Sequence, residues 1–315
     1  PDAIYDEALW YRVNPSLGHT ITIESMREAA ARAKAKPADE RLFRWLRLNQ
    51  WVTTKLTTWL PLDLFDQTVG TWNRADLLGK DCYIGMDLSS TTDLTAICLL
   101  FPPQGNQLDW RAIWHCWIPE DGMRERVERD HVPYDRWARE GWITPTPGDV
   151  VDYTVVEKTI LEAKKFYNVI EVPSDRAFGA MLLQRLEQQG MVCVDVPQTF
   201  KTMAGPMNLV EILLKKSARQ PQEQEEELPG VNADLLRGGL THENSPVARW
   251  CFGNAAFATN GNAEKKLVKE HRGKSVVRTK RIDLVTALVN AMARAQHYQP
   301  KLDLSAAILS DDWGM

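Results

Sequence analysis

The first part of the chain has the periodicity of helices. Residues 24 to 36 are rich in helix-forming residues, and apolar residues recur at helical spacing across residues 38 to 51. Pro37 separates the two predicted helices, because proline lacks the backbone donor that a helix interior uses. Residues 53 to 80 contain proline and glycine and show no sustained period, which predicts a linker.

Near residue 81 the pattern changes to short apolar runs. Three such runs are typical of strands, and turn-like or polar segments divide them: residues 82–87, 94–101 and 110–118. Three consecutive strands predict an antiparallel meander. The stretch that follows, residues 119 to 148, is rich in proline and tryptophan and is predicted to be a loop.

Helical and strand-like segments then alternate along the chain. We predict helices near residues 154–167, 177–190 and 203–219, and strands over residues 168–175 and 191–197. Strands that alternate with helices indicate parallel crossover units, in which neighbouring strands run in the same direction.

A last helix is predicted to start near Arg281. Four apolar residues between Ile282 and Met292 form a stripe with a period of about 3.6 residues. Asp283 lies one position off this stripe, so we expect it to point from the first helical turn toward the edge of the core. The order of elements predicts an α/β fold, a ribonuclease H-like mixed sheet flanked by helices, with an N-terminal helical linker segment.

Composition narrows the class of protein. The chain has 315 residues, of which 44% are hydrophobic, and this suffices for one or two buried cores. The longest apolar runs, such as residues 94–101, are far shorter than the roughly 20 residues of a membrane span, so we expect a soluble protein with no membrane partner. Five cysteines, without a CxxC pair, predict reduced core residues.

Three aspartates fall where the predicted elements could bring them together. Asp87 ends the first strand, Asp175 ends the fourth, and Asp283 opens the last helix. If the first and fourth strands are neighbours, their carboxyl ends meet, and the clustered carboxylates repel one another unless cations or protons neutralise them. Hard divalent cations such as Mg²⁺ or Mn²⁺ prefer oxygen ligands, and a pair of them can activate water for phosphodiester hydrolysis.

Each aspartate also has a simpler interpretation. Asp87 and Asp175 can cap turns, and Asp283 can sit in the first helical turn because its charge is favourable there. Asp93 is either a turn residue before the second strand or a group that supports a metal-bound water. The sequence leaves both interpretations open for each residue.

Six segments of the chain resemble the nuclease domain of the large terminase subunit of tailed bacteriophages and prophages. They occur in the family's order between about residues 81 and 297: "GMDLSSTTDLTA", "WIPED", "RDHVPYDRWAREGWITPTPGDVVDY", "SDRAFGA", "GGLTHENSPVARWCFGN" and "RIDLVTALVNAMARA". One departure is "EVPSD", where relatives often carry tyrosine before the aspartate, and this leaves the role of Ser174 open.

The resemblance implies a ribonuclease H-like endonuclease that cuts double-stranded viral DNA with two Mg²⁺ or Mn²⁺ ions. It implies metal ligands at Asp87, Asp175 and Asp283, and Asp93 resembles a fourth acidic position found in some members. The family's partners are the small terminase subunit and the portal or procapsid, and it acts in the cytoplasm of the infected bacterial host.

The resemblance also implies a division into domains. Residues 1–75 resemble the closing segment of a packaging ATPase and its linker, residues 81–298 the nuclease domain, and residues 299–315 a C-terminal tail. The chain contains no complete ATPase site, since Gly273-Lys274-Ser275 lacks the glycine and the strand-to-helix context of a phosphate loop.

A basic segment precedes the last helix. The formal net charge is −4, but net charge averages over patches and does not exclude a local DNA-binding surface. The candidate phosphate contacts are Lys265, Lys266, Lys269, Arg272, Lys274, Arg278 and Lys280. A solvated loop is the simpler interpretation, and proximity to Asp283 favours the DNA-binding one.

Two other functions fit parts of the sequence. An actin-like phosphotransferase would use "DLSSTTDLT" as a phosphate-binding hairpin, but the second hairpin and the adenosine-binding glycines that it needs are not recognisable. A non-catalytic module that docks DNA or the portal, and keeps the acidic residues without cutting, is consistent with the same sequence. An assay for metal-dependent DNA cleavage separates these functions.

Overall fold

The computed structural model describes most of the chain. Its described residues are 2–35, 37–50, 57–89, 94–175, 179–218, 232–269, 271–272, 275–276 and 280–299. By its internal contacts the chain divides into two compact units, residues 1–56 with 259–264, and residues 57–258 with 265–315. This division falls within the segment that the sequence analysis assigned to the linker, and the functional domain boundaries stay a prediction.

The first unit is helical. The α-helices among its described residues are α1 (Glu7–Val13), α2 (Ile23–Ala35) and α3 (Pro37–Leu48). They bury a small core that contains Trp10, Met26 and Phe43. The two helices predicted here are confirmed, and α3 begins at Pro37 itself because the first position of a helix needs no backbone donor.

The second unit is a mixed α/β domain. Its strands are β1 (Thr57–Thr58), β2 (Asp81–Asp87), β3 (Thr95–Phe101), β4 (Trp110–Pro119), β5 (Thr144–Thr146), β6 (Asn168–Ser174), β7 (Cys193–Asp195), β8 (Leu240–His242), β9 (Ala255–Thr259), β10 (Lys265–Lys269), β11 (His271–Arg272) and β12 (Ser275–Val276). Its helices are α4 (Leu62–Gln67), α5 (Met123–Asp130), α6 (Tyr134–Arg139), α7 (Tyr153–Phe166), α8 (Ala180–Gln188), α9 (Phe200–Ser217), α10 (Pro246–Asn254) and α11 (Asp283–Ala295).

The central sheet has seven strands. Six of them follow the order β5-β4-β3-β2-β6-β7, and β8 pairs with the other end of β4. Strand β3 runs antiparallel to both β2 and β4, whereas β2 with β6, β6 with β7, and β4 with β5 and β8 are parallel. The predicted meander is therefore confirmed, and the first and fourth predicted strands, β2 and β6, are neighbours. The carboxyl ends of β2, β4, β6 and β7 lie at one edge of the sheet.

Helices cover both faces of this sheet. On one face, Tyr83, Cys98 and Trp114 share a core with buried residues of α9, α10 and α11. On the other face, Ile84 and Leu99 share a second core with buried residues of α7 and α8. Because side chains alternate along a strand, odd-numbered residues of β2 face α11 and even-numbered ones face α7 and α8.

Helix α11 crosses β2 at very short range. A Cβ atom added to Gly85 would lie 2.0 Å from the backbone oxygen of Ala287, so only glycine permits this approach. Further along the helix, Asn290 Nδ2 donates to the carbonyl of Met86 at 2.8 Å, and Arg294 pairs with Glu171 of β6 at 2.6 Å. The middle of α11 thus contacts β2 near its carboxyl end, whereas Arg294, in the last turn, contacts β6 farther from that end, so the N-terminus of α11 is directed toward the carboxyl ends.

Two sequence predictions about loops are wrong. The predicted loop over residues 119 to 148 contains α5, α6 and β5, whose short and highly charged helices show no apolar stripe in the sequence. Part of the predicted basic loop forms strand β10, which joins β1 and β9 in a three-stranded sheet.

The expectation of reduced cysteines agrees with the structure. All five cysteines are thiols, and four of them, Cys82, Cys98, Cys116 and Cys251, are buried. Among the described residues, no helix has both the length and the apolar character needed to cross a membrane.

Candidate active site

Strand register places Asp87 and Asp175 side by side. Met86 of β2 pairs with Ser174 of β6 in a parallel ladder, and each aspartate is the next residue along its strand. Neighbouring strands of a sheet lie about 4.8 Å apart. Both aspartates are half-buried. The sequence placed these two residues at strand ends, and the pairing now puts those ends next to each other at one edge.

Asp283 approaches the same edge from above the sheet. It is the first residue of α11 and is 3% exposed. Asp87 is odd-numbered like Gly85, so its side chain is on the face that α11 covers. A carboxylate in the first turn of a helix is favoured by the helix dipole, yet aspartate is rarely this deeply buried in proteins.

The shifted pKa values of neighbouring groups indicate which elements lie near Asp283 and Asp87. Burial raises the pKa of the Cys116 thiol on β4 and of the Cys251 thiol on α10, and the negative charge of Asp283 raises both further. Burial likewise raises the pKa of Tyr153 at the start of α7, and the charge of Asp87 adds to this effect. Asp283 is thus within electrostatic range of β4 and α10, and Asp87 of α7.

The donors at this edge suit a hard divalent cation. Carboxylate oxygens are the ligands that Mg²⁺ prefers, and Mg²⁺ is usually bound by only one or two carboxylates, with water and substrate phosphates completing its shell. Within the described residues, no group of three or more His, Cys, Asp or Glu side chains is arranged so that it could hold a metal ion. The fit therefore rests on donor chemistry and on strand register, and a closed three-carboxylate cluster is not part of it.

A further carboxylate at this edge escaped the sequence analysis. Asp195 ends β7 and pairs in register with Ser174, and its side chain is exposed. The available signal was its position at the end of a predicted strand, which is the same signal that identified Asp87 and Asp175. Alternation assigns it to the face opposite Asp175. Asp93 lies outside the described residues.

Ser174 is directed away from the aspartates. It is 1% exposed, and it pairs with Met86, whose side chain belongs to the core on the α7 and α8 side. Among the described residues its Oγ atom has no hydrogen-bond partner. Its side chain is therefore part of that second core and is not a neighbour of the Asp175 carboxylate.

The basic residues predicted to contact DNA have different environments. Lys265 forms an ion pair with Glu211 of α9 at 3.0 Å and lies over the ring of Phe257. Leu267 is buried, so alternation places Lys265 on its core-facing side and Lys266 on the opposite side of β10. Lys269 and Lys280 are half-buried, Arg272 lies in β11, and Lys274 and Arg278 lie outside the described residues.

Comparison with known proteins shows which family this chain matches. A family model described as "Terminase large subunit, endonuclease domain" matches residues 1–224. The matched range includes Asp87 and Asp175 and ends before Asp283. Among curated proteins, the large terminase subunit of Enterobacteria phage HK97 is 28% identical over 294 residues, which are 91% of this chain and 51% of that protein.

Two further relatives cover almost the whole chain. Protein YmfN of Escherichia coli (strain K12) is 24% identical over 322 aligned residues, covering 97% of this chain and 63% of its own length. The crystal structure of the HK97 bacteriophage large terminase superposes with a TM-score of 0.63 at 25% identity, covering 92% of this chain and 54% of that one. The chain thus spans between about half and two thirds of the length of the relatives that it matches.

Proposed function

Because the chain belongs to the family of terminase large-subunit endonuclease domains, we propose that it is a metal-dependent endonuclease that cuts double-stranded DNA during the packaging of a viral genome. The proposal is supported by the adjacent strand ends that carry Asp87 and Asp175 and by Asp283 at the start of the helix that covers β2. They come from three distant parts of the sequence. A gathering of like charges is costly unless cations neutralise it, so their common position favours a metal site.

Asp87, Asp175 and Asp283 are proposed to hold two Mg²⁺ or Mn²⁺ ions. Asp87 would hold the ions from the end of β2, Asp283 from the start of α11 and Asp175 from the end of β6. Two bound cations would supply an activated water molecule and stabilise the leaving oxygen of the phosphodiester. Asp93 stays a proposal for a group that supports a metal-bound water.

The rigidity of these elements supports the assignment. Asp87 is the last residue of a strand that is paired on both sides, and the close approach of Gly85 to α11 leaves the helix little freedom to shift. Asn290 holds the carbonyl of Met86, the residue directly before Asp87. A hydrolytic site needs ligands held to within about 0.5 Å, and strand ends joined by a buried helix provide this.

The proposed partners follow the relatives, of which this chain spans only part. We propose that residues 1–75 correspond to the end of a packaging ATPase and its linker, that residues 81–298 form the nuclease domain, and that the chain works with a small terminase subunit and a portal or procapsid. The place of action is then the cytoplasm of the infected bacterial host.

Cleavage of supercoiled plasmid DNA in the presence of Mn²⁺ tests the proposed activity. We expect the chain to nick the plasmid and Asp87→Asn to lower the rate by at least about 100-fold, because metal-site ligands matter at least as much as their supporting groups. Asp81→Asn is the matched control, since it removes a carboxylate from the opposite end of the same strand.

The alternative function, a non-catalytic module that docks DNA or the portal, makes a different prediction for the same assay. It predicts no cleavage by the wild-type chain with any divalent cation, although DNA binding persists. Cleavage that is equally fast in wild type and in Asp87→Asn would instead indicate a contaminating nuclease and would count against the proposed site.

The proposed DNA contact of the basic segment is tested most cleanly at Lys266. Lys266→Gln is expected to weaken binding to all DNA sequences alike and to reduce the slope of log K against log salt by about 1, because a phosphate contact reads no bases. Fluorescence anisotropy without divalent cations measures this. Lys265→Gln is the control, because Lys265 is paired with Glu211. Equal affinity of Lys266→Gln and wild type at low salt would contradict the contact.

A further inference from the structure

A buried carboxylate lies close to the start of α11. It is not one of the proposed metal ligands. Asp130 ends α5, and its side chain is 0% exposed. It accepts hydrogen bonds from Arg129 Nε at 2.6 Å and from the Tyr134 hydroxyl at 3.1 Å, and it pairs with Arg281 Nη2 at 3.4 Å. Three donors from three positions of the chain therefore converge on this one carboxylate.

Arg281 connects this carboxylate to the candidate site. It is 3% exposed and precedes Asp283 by two residues. Its backbone oxygen accepts a hydrogen bond from Asn254 Nδ2 at 3.2 Å, at the end of α10. The side chain and the main chain of Arg281 are thus both held by buried groups, immediately before the first turn of α11.

The charge of the Asp130 carboxylate depends on its burial and on the two arginines that contact it. Burial alone raises the pKa of Asp130, but the hydrogen bond from Arg129 and the positive charge of Arg281 outweigh it, and the pKa lies below its ordinary value. Asp130 and Arg281 therefore form a buried pair of opposite charges. Such pairs contribute little more to stability than well-packed apolar residues, while removal of one partner is costly, so geometry is a better reason for their presence.

We propose that Asp130 is a positioning residue for the candidate metal site: through Arg281 it fixes the start of α11 and thereby the direction of the Asp283 carboxylate. This inference rests on the proposed function and adds a residue to it. Metal affinity depends on ligand oxygens that are held to within a fraction of an ångström. A shift of the first turn of α11 displaces Asp283 directly, whereas Asp87 and Asp175 are held by the sheet.

The test measures the Mn²⁺ dissociation constant of the 315-residue chain by isothermal titration calorimetry, alongside its thermal unfolding. Asp130→Asn keeps the shape of the side chain and removes its charge. We expect its Mn²⁺ dissociation constant to rise by about 10-fold or more, the range found for groups that orient metal ligands. Arg281→Lys keeps the positive charge but loses the guanidinium geometry, and it should raise the constant in the same direction.

Glu171→Gln is the matched control. It breaks the ion pair of Glu171 with Arg294 near the other end of α11, where the two side chains form two hydrogen bonds of 2.6 and 2.9 Å. We expect a loss of stability with a Mn²⁺ dissociation constant within about twofold of wild type. This control separates the position of the first turn of α11 from the stability of the helix as a whole.

The outcomes are distinguishable. If wild type binds Mn²⁺ and nicks DNA while Asp130→Asn binds it equally well, the positioning role is overturned and the proposed function stands. If Asp130→Asn does not fold, an unchanged dissociation constant in Arg281→Lys overturns the role in the same way. If wild type binds no Mn²⁺, the proposed metal site itself fails. A parallel rise in the Glu171→Gln control would reduce Asp130 to a stabilising residue and would also overturn the inference.

Discussion

Strand β2 begins and ends with an aspartate, and the two ends of the strand differ in chemistry. At its start, Asp81 accepts a hydrogen bond from Asn168 Nδ2 at 2.5 Å and another from the Tyr298 hydroxyl at 2.9 Å. Tyr298 follows the last turn of α11, and Asn168 opens the neighbouring strand β6. One carboxylate is thus enclosed by neutral donors from the elements around it.

The other end of the same strands gathers acids. Asp87 ends β2, Asp175 directly follows β6, and Asp283 starts the helix that covers both strands. The two ends therefore differ: neutral side-chain donors surround Asp81, whereas acidic residues of all three elements lie toward the end that carries Asp87 and Asp175. The packing of β2, β6 and α11 does not by itself require acids at that end. On the proposed function, these acids bind cations.

The largest loss of stability is expected at Gly85, between the two ends of β2, where the strand contacts the backbone of α11. Gly85→Ala places a methyl group against the backbone of Ala287 and Ala291, with 2.0 Å to the nearer backbone atom, and backbone cannot yield as a side chain does. We expect a loss of about 3 kcal/mol in the free energy of unfolding. Urea denaturation measures it, and Mn²⁺ affinity should fall as well because α11 must move. Wild-type stability in this variant would show that the approach is looser than described.

A smaller effect is expected at the end with neutral donors. Asp81→Asn removes the charge that Asn168 and Tyr298 bind, and we expect a loss of about 2 kcal/mol in the free energy of unfolding. The rate of plasmid nicking below the melting temperature should stay close to that of wild type. If Asp81→Asn is as stable as wild type but no longer cuts DNA, the proposed difference in role between the two ends of β2 is contradicted.

The smallest effect is expected from Tyr298→Phe. It deletes one hydrogen bond to Asp81 and leaves the ring against Tyr83, so the free energy of unfolding should fall by about 1 kcal/mol. Thermal unfolding is sensitive enough to resolve this difference. A loss of Mn²⁺ binding in Tyr298→Phe would mean that the two ends are not independent.

Local patterns were sufficient for most strands of the central sheet and for the positions of the three aspartates at the ends of their elements. Apolar runs of strand length predicted β2, β3, β4 and β6, and the residues that end two of these runs are Asp87 and Asp175. The helical stripe predicted α11 and placed Asp283 at its start. These features depend on near neighbours in sequence, which is why periodicity detects them.

Features that depend on distant residues were not predictable. Helix α5 lacks an apolar stripe, and its buried Asp130 is paired with Arg281, which is distant in sequence. Helix α9 contains Pro206, which ordinarily interrupts a helix, and it begins at Phe200, before the predicted start. Strand β10 is basic in composition. Its Lys265 forms an ion pair with Glu211 of helix α9, which is distant in sequence.

Isothermal titration of Mn²⁺ into the chain, into Asp283→Asn and into Asp81→Asn tests the central claim most directly. The account predicts that wild type and Asp81→Asn bind Mn²⁺ with dissociation constants within about twofold of each other, and that Asp283→Asn binds at least about 10-fold more weakly. Equal binding by all three proteins, or loss of binding only in Asp81→Asn, would contradict the assignment of the metal site to the carboxyl ends of β2 and β6.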